Sequence, residues 1–158
     1  LGFKAPIIRI MPNINATVLE AMSAYCCSES VTDDQKEFVY KLCSSFGKVM
    51  PLSESYFPLF CSIAGCAPAY AYMFIDSLAR SAVKNGMNKS VALEIAAQTV
   101  LGSAKKILES DEHPWELIDK VCSPGGTTIE GIVSLQKDGF ESAVCNAVDA
   151  ALQKDKKV

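Results

Sequence analysis

The sequence holds one histidine, His113, and none of its seven cysteines falls at CxxC spacing. Zinc centres are built from paired, closely spaced Cys and His ligands, so no metal site is expected. The odd cysteine count reads instead as buried free thiols (Cys26, Cys27, Cys43, Cys61, Cys66, Cys122 and Cys145) kept in a reducing, cytoplasmic compartment. There is no excess of positive charge: the net charge is −3, which gives no electrostatic case for nucleic acid. No apolar run reaches membrane-spanning length without a charge or a break, and no secretory signal is visible, so no membrane partner is expected. The glycine-rich dinucleotide fingerprint GxGxxG is missing. So is an initiator methionine: the chain opens "LGFKAPIIRIMPN", which reads as the middle of a longer protein.

What is present is enough chain for one domain with a real core: 158 residues, 49% apolar and 21% charged. "PIIRIM", Pro6 to Met11, is a strand candidate closed by Pro12-Asn13, and Leu19 to Cys27 is a weaker one. Thr32 to Gln35 has capping-box spacing and starts a helix carrying Phe38, Val39, Leu42 and Phe46 on one face, up to Gly47. Lys48 to Leu52 is a third short strand. From there on the pattern is helical. One helix covers Glu54 to Ala64, and Gly65-Cys66-Ala67-Pro68 breaks it. Pro68 opens the next helix, which runs to Asn85. Ser90 caps a helix reaching Ser110, Pro114 opens one ending near Val121, and Thr127–Asp138 and Phe140–Gln153 follow, with Gly139 as the break between them.

Two of these helices are apolar on most sides. In Pro68 to Asn85 the charges Asp76, Arg80 and Lys84 recur every four residues as one narrow stripe, and Tyr70, Tyr72, Met73, Phe74, Ile75, Leu78 and Val83 occupy the rest. Ser90 to Ser110 is similar, with Val91, Leu93, Ile95, Val100, Leu101, Ile107 and Leu108. A surface helix buries one stripe, whereas these two need cover on several sides. The expectation is a helical domain that dimerises through them, the alternative being a central hairpin within a monomer.

Three loops offer chemistry. In "VCSPGGTTIEGI", Ser123-Pro124-Gly125-Gly126 has the type II turn signature, with positive φ at Gly125. Gly126 permits close backbone approach, and Thr127-Thr128 begin a helix whose first amides lack intrahelical partners. Free amides, a positive dipole end and two hydroxyls suit a small anion. A carboxylate fits better than a polyphosphate, since the loop has no Lys or Arg. The competing account is that Thr127 merely caps the helix. "AGCAPAY", residues 64 to 70, combines small residues with a proline-started helix, and "IMPN", Ile10 to Asn13, ends a strand. His113, just before Pro114, is read as an exposed residue of a helix cap and not as a proton donor. Cys66 has no histidine partner nearby and is read as packing.

Taken together, "RIMPN", "AGCAPAYAYMFIDSLA", "AAQTVLGSAKKILES", "HPWELIDKVCSPGGTTIEGI" and "LQKDGFESAV" resemble the C-terminal portion of the pyrroline-5-carboxylate reductases, in order and spacing over nearly the whole chain. "SPGGTTI" with "HP" ten residues upstream is the most specific part. The resemblance implies a mainly α fold. Residues 1–52 would be the β remnant of a Rossmann domain, and 53–158 a helical dimerisation domain of the 6-phosphogluconate-dehydrogenase C-terminal type. It implies reduction of 1-pyrroline-5-carboxylate to L-proline with NAD(P)H, the cofactor (NADP or NAD) being held mainly by the absent N-terminal domain, so that the 158-residue chain alone is inactive. It implies a homodimer or a larger assembly of dimers.

Carried onto this chain, the family's substrate carboxylate falls to Val121, Ser123, Gly125, Gly126, Thr127 and Thr128, chiefly through backbone amides. Thr128 offers its hydroxyl to the ring nitrogen and is the one residue placed in a catalytic role, for orientation. Met11, Pro12 and Asn13 match the segment near the nicotinamide. The chain departs from the family's usual SGSGPA or SGCGPA: Ala64 removes a hydroxyl, and Ala67 adds a methyl where glycine is usual. Two other readings remain: a free-standing helical dimerisation module without catalysis, and a related Rossmann dehydrogenase acting on another small carboxylate. The latter would be expected to present a catalytic lysine on a helix, and none stands out.

Overall fold

Three strands precede a succession of helices in the computed structural model, which describes residues 5–155. The outermost parts of the two expected domains, residues 1–4 and 156–158, lie outside the described residues. Strand β1 (Ile8–Met11) runs antiparallel to β2 (Ala21–Cys27), with Ile8 opposite Cys27 and Met11 opposite Ala24. Strand β3 (Gly47–Pro51) runs parallel to β2, so the sheet is mixed, in the order β1-β2-β3. A parallel neighbour needs a crossover, which α1 (Asp33–Ser44) provides. The mainly helical architecture with a small β element in front is the one expected. The chain divides into two compact units, Leu1–Tyr70 with Ala147–Val158, and Ala71–Asn146.

In the first unit, α1 starts from the expected capping box. The Thr32 hydroxyl accepts from the Gln35 amide at 3.4 Å, and the Gln35 side chain accepts from the Thr32 amide at 3.0 Å. Its inward face differs from the expectation. Val39 and Cys43 are buried, whereas Phe38 and Leu42 are exposed. Both pairs are spaced i,i+4, so neither spacing nor residue size decides which stripe turns inward.

A 3₁₀ turn, Ile14–Val18, links β1 to β2 and ends at Leu19 with φ of 62°, left-handed and unusual for leucine. The Leu19 side chain is exposed and has little packing to lose. Leu19→Gly is therefore expected to stabilise the protein by about 0.5–1 kcal/mol, the relief of Cβ crowding outweighing the added freedom of the unfolded chain. Urea denaturation checks this, and an unchanged or lower midpoint would contradict it.

The expected break at Gly65–Pro68 narrows to the single bent residue Cys66. A 3₁₀ turn (Glu54–Tyr56), α2 (Phe57–Phe60) and a π turn (Cys61–Gly65) lead through Cys66, whose backbone stays helical, into α3 (Ala67–Lys84), so the helical run carries on. Pro68 has no amide to donate, and its ring crowds the carbonyl four residues back. The π turn, closed by the Cys66 amide on the Cys61 carbonyl at 2.9 Å, absorbs that mismatch without ending the helix. Glu54–Lys84 thereby becomes a helical run long and apolar enough, by length and composition, to cross a membrane, which corrects the expectation that a break interrupts it. Those two properties do not distinguish a lipid-facing helix from one covered by protein.

In the second unit, the body of α3 packs on α4 (Lys89–Glu109) through Ala79, Ala92 and Ala96, with Ile75 and Ala82 against them. Asn88, not Ser90, caps α4: its side-chain oxygen accepts from the Ser90 amide at 2.9 Å and from the Ser90 hydroxyl at 2.6 Å. The buried contact consists of alanines, and most of the large side chains of both helices face outward. Met73 is 74% exposed and Leu101 58%. The expected charged stripe is present on α3, with Arg80 paired to Asp76. Helices α5 (Pro114–Val121), α6 (Thr127–Lys137) and α7 (Phe140–Asp155) follow, and Phe140 lies 5.9 Å from Phe74, ring centre to ring centre.

Candidate functional site

The corner between α5 and α6 is built by local chemistry. Helix α5 opens at Pro114 behind a capping box in which His113 Nδ1 accepts from the Trp115 amide at 3.2 Å and Glu116 accepts from the His113 amide at 3.2 Å. His113 is thus a helix cap with its Nδ1 lone pair in use. Lys120 reaches back along α5 to Glu112, and its hydrogen bond holds the Glu112 carboxyl below the ordinary glutamate range. A folded-state pKa below the unfolded one adds stability above the ordinary pKa, and that stability is lost as pH falls through the folded value. Glu112→Gln is therefore expected to flatten the fall in melting temperature below about pH 4. Acid melting curves that run parallel for the two proteins would count against this tie.

After Val121 the chain leaves α5 through an extended Cys122 and turns at Ser123–Gly126, with the Gly126 amide on the Ser123 carbonyl at 3.0 Å. Gly125 has φ of +67°, the type II turn read from the sequence. Gly126 is the N-cap of α6 and has no side chain to cap with, so Thr127 and Thr128 are the first two helical residues and the cap role considered for Thr127 belongs to Gly126. A Cβ on Gly126 would stand 2.3 Å from Ser123 Oγ and 3.1 Å from the Ser123 carbonyl oxygen. The structure thus brings Ser123 directly onto Gly126. Thr127, Thr128 and Val121 are exposed. Uncapped amides, a positive helix end and three hydroxyls, with no cation in the loop, can hold one small anion.

Met11, Pro12 and Asn13 belong to the first unit and the corner to the second. Met11 and Asn13 are half-buried and Pro12 is exposed. The Asn13 side chain is engaged at both ends: it donates to the Ala64 carbonyl at 3.0 Å and accepts from the Met22 amide at 3.2 Å. The sequence reading missed this tie. Its signal is Pro68, which lies four residues beyond Ala64 and leaves that carbonyl without its helical donor. This strand end has open surface at Pro12 but neither a glycine-rich loop nor a cluster of cations. Nothing at this strand end would hold the phosphates of a dinucleotide.

All seven cysteines are free, but only Cys43 is buried, Cys145 is exposed and the others lie between, which corrects the expectation of a buried set. Cys66 lies beside Cys61 in the π turn, where burial, with Cys66 as the next contributor, pushes the Cys61 thiol up. A nucleophilic thiol needs the opposite shift. Among the described residues no three His, Cys, Asp or Glu side chains gather as a metal site would require.

Known proteins resemble the chain over its whole length. It is 40% identical over 158 residues to the pyrroline-5-carboxylate reductase of Escherichia coli, covering 100% of this chain and 59% of that protein. It is 38% identical over 151 residues to the enzyme of Glycine max, covering 96% and 55%. Among solved structures, 1-pyrroline-5-carboxylate reductase from Streptococcus pyogenes superposes with a TM-score of 0.94 at 42% identity, covering 99% of this chain and 61% of that one. A Plasmodium falciparum pyrroline carboxylate reductase with NADP bound gives 0.92 at 36%, covering 99% and 63%. The chain thus spans about three-fifths of the length of these relatives. Residues 54–158 match the family model described as pyrroline-5-carboxylate reductase dimerisation. With that match covering most of the chain, the chain belongs to the pyrroline-5-carboxylate reductase family.

Proposed function

We propose that this chain is the C-terminal part of an enzyme that reduces 1-pyrroline-5-carboxylate to L-proline in a homodimer or an assembly of dimers. The supporting observation is the corner at Val121–Thr128, an uncapped helix start of carboxylate size with no cation beside it. Residues 1–52 group with a nucleotide-binding domain, and 53–158 form the dimerising and substrate-binding part. The match to a dimerisation family and the outward-facing Met73 and Leu101 favour cover by a second copy over cover by lipid.

The work of the residues is positioning. The amides of Thr127 and Thr128 take the carboxylate at the positive end of α6, and Gly126, its own amide held on the Ser123 carbonyl, and the Ser123 hydroxyl close the same corner. Thr128 Oγ1 accepts from the N–H of the protonated ring imine and so orients the C=N bond. A threonine hydroxyl is a poor acid, so the proton already on the ring nitrogen stays there as the imine becomes an amine. A nicotinamide cofactor (NADP or NAD) bound in its reduced form, NADPH or NADH, would supply the hydride for the C=N carbon. Met11 and Pro12 offer surface for its nicotinamide end, while its phosphates need residues this chain does not carry.

Thr128→Val in the full-length protein tests this assignment. Loss of one hydrogen bond is expected to raise the Michaelis constant for pyrroline-5-carboxylate on the order of five- to tenfold and to leave that for the cofactor unchanged. An unchanged substrate Michaelis constant would overturn it. The reading as another carboxylate's dehydrogenase predicts turnover of that acid in the same assay, and the module reading predicts none.

A further inference from the structure

Pro68 leaves the Ala64 carbonyl without the amide that an α-helix would supply, and the Cys66 and Ala69 amides are already in use. The Ala69 amide is on the Cys66 carbonyl at 3.0 Å, and the Cys66 amide is on the Cys61 carbonyl at 2.9 Å. Ala64 is buried, so water is a poor substitute, and an unpaired carbonyl there would be costly. The donor comes from outside the helix: Asn13 Nδ2 lies 3.0 Å from the Ala64 oxygen, and Asn13 Oδ1 accepts from the Met22 amide at 3.2 Å. At the other end of the same strand, Arg9 pairs with Glu54 at 3.0 Å and lies over the buried Phe57 ring at 4.6 Å. Four residues of extended chain reach about 13 Å, and the ten from Glu54 to Ala64 rise about 15 Å as helix. Strand β1 and the helical run are therefore pinned twice, at matching separations.

We propose that Asn13 is a positioning residue: its carboxamide supplies the hydrogen bond that Pro68 cannot, and so fixes the Met11–Pro12 strand end against the head of α3. For catalysis this rests on the reading that Met11 and Pro12 face the nicotinamide. An amide alone can do both halves of the task, since it donates through nitrogen and accepts through oxygen. Aspartate keeps the acceptor for Met22 but sets an oxygen against the Ala64 carbonyl.

The test is a cycle in the full-length protein between Asn13→Asp and Pro68→Ala, which gives residue 68 an amide of its own. Asn13→Asp alone is expected to lower the melting temperature and to cut kcat on the order of tenfold, with the Michaelis constant for pyrroline-5-carboxylate nearly unchanged. In the Pro68→Ala background both losses should shrink by about half or more, since coupled residues are non-additive. Additive losses would overturn the proposal. So would weaker cofactor binding with an unchanged melting temperature, which would make Asn13 a direct ligand. Coupled melting temperatures with unchanged kinetics would uphold the strut and overturn the cofactor-side reading instead. Should Asn13→Asp fail to fold, recovery of folding in the double variant supports the proposal and failure to recover overturns it.

Discussion

Valine at Gly125 in the full-length protein is expected to raise the Michaelis constant for pyrroline-5-carboxylate at least about tenfold, with that for NAD(P)H unchanged. A Cβ on Gly125 would meet nothing within 4 Å, so there is room for the side chain. The difficulty is the backbone: φ of +67° is a position that a β-branched residue does not hold. Leaving the left-handed region opens the turn and swings the first amides of α6 away from their common focus. The lesion stays local, because α5 and α6 each have their own supports. Gly126→Ala reaches the same end by collision with the Ser123 hydroxyl, and rotation of that side chain relieves part of it, so its effect should be smaller. A Gly125→Val enzyme with the wild-type substrate constant would remove the carboxylate from this corner.

The second large effect concerns association. Leu101→Asp is expected to convert the proposed homodimer to folded monomer or aggregate, weakening association at least about a hundredfold, because two-fold symmetry buries the charge twice. Leu101 suits this test because it is exposed in the single chain and its loss leaves the intrachain core alone. Ile75, equally apolar in sequence, packs against the Ala79–Ala92–Ala96 contact, so Ile75→Asp would damage folding and pairing together. Sedimentation of the Leu101→Asp protein decides the matter, and a soluble dimer of wild-type affinity would exclude this face.

What the sequence made legible was mostly local. The Thr32 capping box, the Pro114 helix start and the Ser123–Gly126 turn each depend on residues within four positions of one another, and each stands as read. The uncapped amide end at Thr127 and Thr128 was legible for the same reason. What failed depended on distant partners. Phe38 and Leu42 outweigh Val39 and Cys43 in any apolar count, but the stripe that turns inward is fixed by the sheet. Gly65–Pro68 reads as a helix break because the local rules end a helix there. The remedy, a π turn completed by Asn13, lies 51 residues upstream. Asn88 took the cap from Ser90 because both suit the role, and the chain bends two residues earlier than the apolar pattern suggests.

The alanine contact between α3 and α4 has a thermodynamic side. Alanine side chains bury little area, so that crossing contributes little hydrophobic free energy by itself, and most of what the two helices can contribute sits in side chains that this chain leaves in water. On the proposed pairing, that reserve is realised only when two chains meet. Folding and association then draw on the same surface, and stability obeys mass action. Dilution would weaken such a protein much as mutation does, and the concentration at which a cell keeps it becomes one of the determinants of its native state.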